Sequence, residues 1–225
     1  MNLIEHTINS IEKAKNHVSD INDSVLSVEG MSSPKIRHFL NNITKFDGCN
    51  YLEIGSWKGS TLISALFKNS VKNFWAIDNF NTASEEVKQE VTNAYIQNCL
   101  STLNYVPPLI DEDFLSFDPV ANYNIKDVNV YLYDGDHEKC NLLGVDSHEY
   151  ALSHYLNSFQ DEFIFICDDW NRNDWGVENI TRNTIKKLNL TVLYENALPC
   201  NYLGDVELWW SGFYVSVLKK STKNI

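Results

Sequence analysis

The spacing of apolar residues changes character near position 47. Before it, Leu3, Ile4, Ile8, Ile11 and Val18 recur at helical intervals and predict a helix over 3–18. Ser33-Pro34 reads as an N-cap followed by the first residue of a second helix running to 43, with "SVEGMSSP" between them as a plain interhelical loop or, alternatively, a segment folded over a ligand. After Asp47-Gly48 short apolar runs alternate with helical stretches, the signature of βα units that feed a parallel sheet. Strands are expected at 51–54, 74–78, 106–110, 128–134, 163–167 and 191–194, with a long last strand within 207–218. Helices are expected at 61–68, 84–100, 149–158 and 177–188.

The runs "VYLY" and "FIFIC" lack polar alternation, so both faces of those strands should be covered, as at the centre of a doubly wound sheet. Such sheets bind ligands outside the carboxyl ends of their strands. The residues that follow each strand are therefore the candidates for chemistry. One α/β domain over 47–219 is expected, with 1–46 as a helical extension packed on it and 220–225 as a tail.

The first strand leads into "EIGSWKGST". Gly55 and Gly59 allow a sharp turn beneath a ligand, and Ser60 or Thr61 is expected to cap the next helix. The second glycine comes four residues after the first, which is neither the dinucleotide G-x-G-x-x-G nor a phosphate-cradling loop. About twenty residues on, "WAIDNF" ends the second strand with Asp78, placed to accept hydrogen bonds from ribose hydroxyls. Together these favour a nucleoside ligand without phosphates.

On these motifs the chain from about Tyr51 onward resembles the class I S-adenosylmethionine-dependent methyltransferases. The resemblance implies a Rossmann-like, seven-stranded, mostly parallel sheet with an antiparallel last strand. It implies that Glu53 and the loop Gly55, Ser56, Gly59 and Ser60 lie against the methionine part of the cofactor and that Asp78 holds the ribose. An acid after the third strand, Asp113 or else Asp111 in "LIDEDFLSF", would meet the adenine, and Phe80 would pack on its face.

The fourth strand runs into "YLYDGDHEKC" and the fifth into "CDDWNRNDW". If the two are parallel neighbours, Asp134, Asp168 and Asp169 converge at one sheet edge. Two unit charges about 4 Å apart repel by roughly 4 kcal/mol at an effective dielectric near 20, so the acids should protonate, splay apart or take up a cation. Hard oxygen ligands point to Mg²⁺, with Ca²⁺ or Mn²⁺ as alternatives. The layout is similar to the metal-dependent O-methyltransferases of the catechol and macrocin types. That similarity makes Asp134, Asp168 and Asp169 metal ligands and His137 the base, with Asp136 contacting cofactor or bracing His137. The bland alternative is a set of hydrated strand ends and a "DG" turn. Trp57, Trp170 and Trp175 are candidates to stack on a ring, while Trp209 and Trp210 should lie on adjacent faces of the last strand.

Composition narrows the partners. Eighteen Lys and Arg against thirty Asp and Glu give a net charge of -12, which disfavours nucleic acid and anionic membrane surfaces and leaves a small neutral or cationic acceptor. The five scattered cysteines form no C-x-x-C pair and suggest reduced, buried thiols in a cytosolic protein. The N-terminus lacks the pattern of a signal peptide or anchor. Two other functions compete. The "DGD" resembles the metal and nucleotide-sugar motif of glycosyltransferases, although the glycine loop does not suit that ligand. A methyltransferase-like module that binds cofactor without catalysis is the other.

Overall fold

The computed structural model describes residues 2–80, 84–135, 139–140 and 145–221. Three helices come first: α1 (Leu3–Lys15), the short α2 (Asp23–Leu26) and α3 (Pro34–Ile43). Ser33 caps α3 as expected, its hydroxyl accepting from the Ile36 amide, with Pro34 in the first turn. Then follow β1 (Asn50–Ile54), α4 (Ser60–Leu66), β2 (Asn73–Ile77), α5 (Glu85–Leu103), α6 (Pro119–Tyr123) and β3 (Val128–Tyr133). A two-residue hairpin, β4 (Lys139–Cys140) and β5 (Val145–Asp146), separates β3 from α7 (Ser147–His154). The chain closes with β6 (Phe159–Cys167), α8 (Val177–Lys187), β7 (Thr191–Leu198) and β8 (Phe213–Lys219).

Six strands form the main sheet in the order β2-β1-β3-β6-β8-β7. β2, β1, β3 and β6 pair in parallel, and β8 inserts antiparallel between β6 and β7. The last strand is antiparallel, as the resemblance implied, but the expected strand at 106–110 does not form. Pro107 and Pro108 supply no amide donors there, so the segment touches β2 through one parallel bridge, Ile77 to Ile110, held by the Ile110 amide to the Ala76 carbonyl at 2.8 Å.

The "VYLY" strand shows why polar alternation is missing. Val130 and Leu132 face a core shared with α1 to α5, while Tyr131 and Tyr133 face a second core closed by α7 and α8. Both faces of the central strands β1 and β3 are thus buried, while the edge strand β7 is largely open to water. The first core reaches back through α3: Phe39 stands edge-on to Phe213 at 5.6 Å and to Trp209 at 6.5 Å. Trp209 and Trp210 correct the expectation that they sit within the last strand. They precede it, Trp209 buried against Phe213 and Trp210 pairing its backbone with Asp205.

Phe39→Ala removes the ring that joins α3 to β8. We expect it to lower unfolding free energy by about 3–5 kcal/mol, measured by urea denaturation.

Candidate active site

The first strand end is shaped by a close backbone crossing. Gly55 has φ +90°, and a Cβ there would lie 1.8 Å from the Asp134 carbonyl oxygen, so the first residue after β1 can only be glycine without moving β3. Its amide donates to the Ile77 carbonyl at 2.9 Å, while the Asp134 amide donates to the Ile54 carbonyl at 2.9 Å. The ends of β1, β2 and β3 are locked together at this point. Gly59, with φ +88°, occupies the N-cap of α4. This corrects the expected cap: the Ser60 hydroxyl instead meets that of Ser32 at 3.2 Å, and the Thr61 hydroxyl donates to Glu53 at 3.0 Å.

Glu53 lies fully buried beneath this loop and also accepts from the Tyr51 hydroxyl at 2.5 Å. Burial pushes its carboxyl up to about 7, outweighing the hydrogen bonds that favour the anion. The Ser56 hydroxyl contributes to the field on Glu53, yet it is buried and completes no hydrogen bond of normal geometry. Asp78, just past β2, turns both oxygens onto loop amides, Trp57 at 2.6 Å and Phe80 at 2.7 Å. Burial still raises its pKa. Asp113 is exposed and accepts from the Leu115 amide at 2.9 Å, while Asp111 pairs with Lys88. Phe80 is buried and tilted against Tyr95 with ring centroids 6.3 Å apart, which places its ring in the core.

Parallel pairing of β3 and β6 sets Tyr133 opposite Cys167, so Asp134 and Asp168 follow at neighbouring strand ends. The Asp168 amide donates to the Tyr133 carbonyl at 3.1 Å. Burial, followed by the charges of Asp168 and Asp169, holds Asp134 well above the usual carboxylate range. Asp168 is raised likewise, by burial and then by Asp169. The parallel pairing on which that expectation was conditional is present, so the acids follow two neighbouring strand ends. All-carboxylate oxygen suits a hard cation, but Asp168 turns Oδ1 back onto the Asp169 amide at 2.8 Å. Among the described residues no group of three or more His, Cys, Asp or Glu side chains is arranged to hold a metal ion. As placed, the triad does not fit the metal site expected of it. Asp136 and His137 lie outside the described residues.

The aromatic candidates divide. Trp170 is buried and stacks on Tyr214 at 4.0 Å, which makes it a packing residue and corrects its assignment to ligand stacking. Trp175 carries the Arg172 guanidinium 3.3 Å from its ring centroid, and Trp57 has the Lys58 ammonium above its ring.

Two features were missed at the sequence level, the burial of Arg37 and the Glu29–Lys58 pair. Arg37 is buried, donating to the Ser32 hydroxyl and to the carbonyls of Val25, Leu26 and Val28, and so folds the 27–33 loop into a strap over the glycine loop. Glu29 of that strap pairs with the buried Lys58 at 2.6 Å. His148, buried on α7, packs edge-on to Tyr133 and stands 3.7 Å from the Cys167 thiol. An arginine on an amphipathic helix reads as a solvent residue, so nothing in the local pattern marked Arg37.

Neither a protein-family model nor a curated protein matches the chain by sequence. Solved structures match by fold. TrmN from Thermus thermophilus superposes with TM-score 0.57 at 11% identity over 88% of this chain and 52% of its own, so the chain spans about half the length of that protein. Cofactor-bound Rv0187 from MTB gives TM-score 0.54 at 11% identity, covering 98% of this chain and 91% of that one. The O-methyltransferase from Bacillus cereus, in complex with SAH, gives 0.51 at 16% identity, covering 97% and 91%. The fold is that of the Rossmann-like methyltransferases.

Glu53 generates a pH test. Its ordinary value is 4.5 and its folded value about 7, so the folded state binds more protons in that window and stability falls as pH rises through it. Glu53→Gln should flatten the fall between pH 5 and pH 8, gaining about 3 kcal/mol over wild type at the upper end, read from denaturation midpoints at each pH.

Proposed function

We propose that the chain is an S-adenosylmethionine-dependent methyltransferase acting on a small-molecule hydroxyl of a sugar-like or other natural product. The observation that carries the reading is the crossing at Gly55. It brings a turn with no Cβ at its first residue, the Ser56 hydroxyl with no hydrogen bond of normal geometry and the Asp78 carboxylate together at one strand edge, in a fold otherwise seen with bound SAH. When bound, the cofactor supplies an electrophilic methyl group on a sulfonium.

Glu53, Gly55, Ser56, Gly59 and Ser60 would line the methionine end, with Glu53 bracing the loop through Thr61. Asp78 would accept the ribose hydroxyls and exchange one loop amide for them, and Asp113 would meet the adenine. Clustered acids favour a cationic ligand over a phosphate, and the net charge of -12 opposes a nucleic-acid acceptor. Asp134 and Asp168 would hydrogen-bond the acceptor hydroxyl, and His137, three residues past Asp134, would take the proton that leaves it as the methyl–oxygen bond forms and the methyl–sulfur bond breaks. Asp136 would brace His137 or reach the cofactor. No helix among the described residues is long and apolar enough to cross a membrane.

Because the triad as placed does not fit a cation, turnover should be indifferent to chelator; turnover lost to chelator and restored by Mg²⁺ would instead put a divalent ion among Asp134, Asp168 and Asp169.

Calorimetry with SAH tests the main reading. Wild type should bind with or without Mg²⁺, and Asp78→Ala should bind about tenfold to a hundredfold more weakly, on the scale of 1.4 kcal/mol per factor of ten. Absence of SAH binding to wild type would sink it.

A further inference from the structure

One ion pair joins the glycine loop to the strap, and it is lopsided. The Lys58 side chain is 11% exposed, the most buried base in any ion pair among the described residues, while its partner Glu29 is 70% exposed. An ammonium has three donors. One goes to Glu29 Oε1 at 2.6 Å and the Trp57 ring lies 4.6 Å from the nitrogen, with no other side-chain hydrogen bond from Lys58 among the described residues. A cation withdrawn from water with donors to spare is costly until a further acceptor reaches it.

The pair sits where the loop and the strap touch. Gly30, beside Glu29, approaches so closely that a Cβ there would lie 2.0 Å from Ser60 Oγ, and the Ser32 and Ser60 hydroxyls meet at 3.2 Å. On the other side Trp57, whose amide donates to Asp78 at 2.6 Å, links Lys58 to the carboxylate assigned to the ribose. Lys58 is the only base within 53–61, and Glu29 the only charged residue within 27–33. The other titratable groups at this edge are carboxyls, and Glu53 turns its two oxygens inward onto Tyr51 and Thr61. An anionic group on a ligand held by this loop therefore finds attraction at Lys58 and repulsion elsewhere.

We propose that Lys58 and Glu29 form the subsite for the zwitterionic amino-acid end of the cofactor, the Lys58 ammonium taking its α-carboxylate and the Glu29 carboxylate its α-ammonium. This rests on the methyltransferase reading and adds two residues, one of them on the strap, to its cofactor site. The exchange is reciprocal. Two charges that satisfy each other in the free protein trade partners with two of opposite sign on one ligand, so none is left unpaired in either state.

The test is calorimetry on the full chain with SAH and with 5′-methylthioadenosine, which keeps the adenosine and the sulfur but has a methyl group in place of the amino-acid chain. Wild type should bind SAH at least about tenfold more tightly than 5′-methylthioadenosine. Lys58→Met should weaken SAH about tenfold and Glu29→Gln about threefold, while each keeps 5′-methylthioadenosine within about twofold, which also shows that the variant is folded. Glu29 is exposed, so its variant reads the pairing without opening the buried loop. Equal affinity of wild type for the two ligands, unchanged SAH affinity in both variants, or parallel weakening of both ligands in Glu29→Gln would overturn the proposal. Failure of wild type to bind either ligand would instead reject the methyltransferase reading beneath it.

Discussion

Where the chain leaves β1, its backbone passes against the end of β3 with no room for a side chain: a Cβ on Gly55 would overlap the Asp134 carbonyl. That contact fixes where three parallel strands stop, and it turns the glycine loop over their ends instead of away from them. Asp78, Glu53 and Asp134 are brought to one edge because the strands carrying them are held in register there. The strap held by Arg37 meets the α4 turn that Gly59 begins through the Ser32–Ser60 hydroxyl contact.

The same geometry concentrates negative charge. Glu53, Asp78, Asp134 and Asp168 each have a raised pKa, with burial as the largest cause, and several of them act on one another. A fold that keeps four carboxyl groups at its strand ends gives up stability at neutral pH. A ligand carrying positive charge, or the protons themselves, offsets that cost, and the sulfonium and ammonium of S-adenosylmethionine have the right sign. Stability, pH response and ligand choice thus meet in one cluster.

Much of this was legible in the sequence because parallel sheets write themselves as unbroken apolar runs. "VYLY" and "FIFIC" were read as central strands, and Ser33-Pro34 as a helix start, from patterns whose physics is local. The segment at 106–110 misled because apolar residues suggested a strand while its two prolines forbade the ladder. Aromatic residues misled for another reason: Trp170 and Trp175 sit in one loop and look alike in sequence, but only the fold stacks Trp170 on Tyr214. Arg37 was invisible because its partners are carbonyls of a loop that no spacing rule connects to it. The acids were found, but whether their side chains converge is set by turn geometry such as the φ of +54° at Asp169.

Whether the glycine loop and its neighbouring strand ends hold the cofactor is read from amide chemical shifts recorded as SAH is added. The largest changes should fall on residues 55–61, on Asp78 and Phe80, and on Asp134. Changes confined to the acidic cleft at the opposite sheet edge, around Asp47, Asp127 and Asp161, would contradict it.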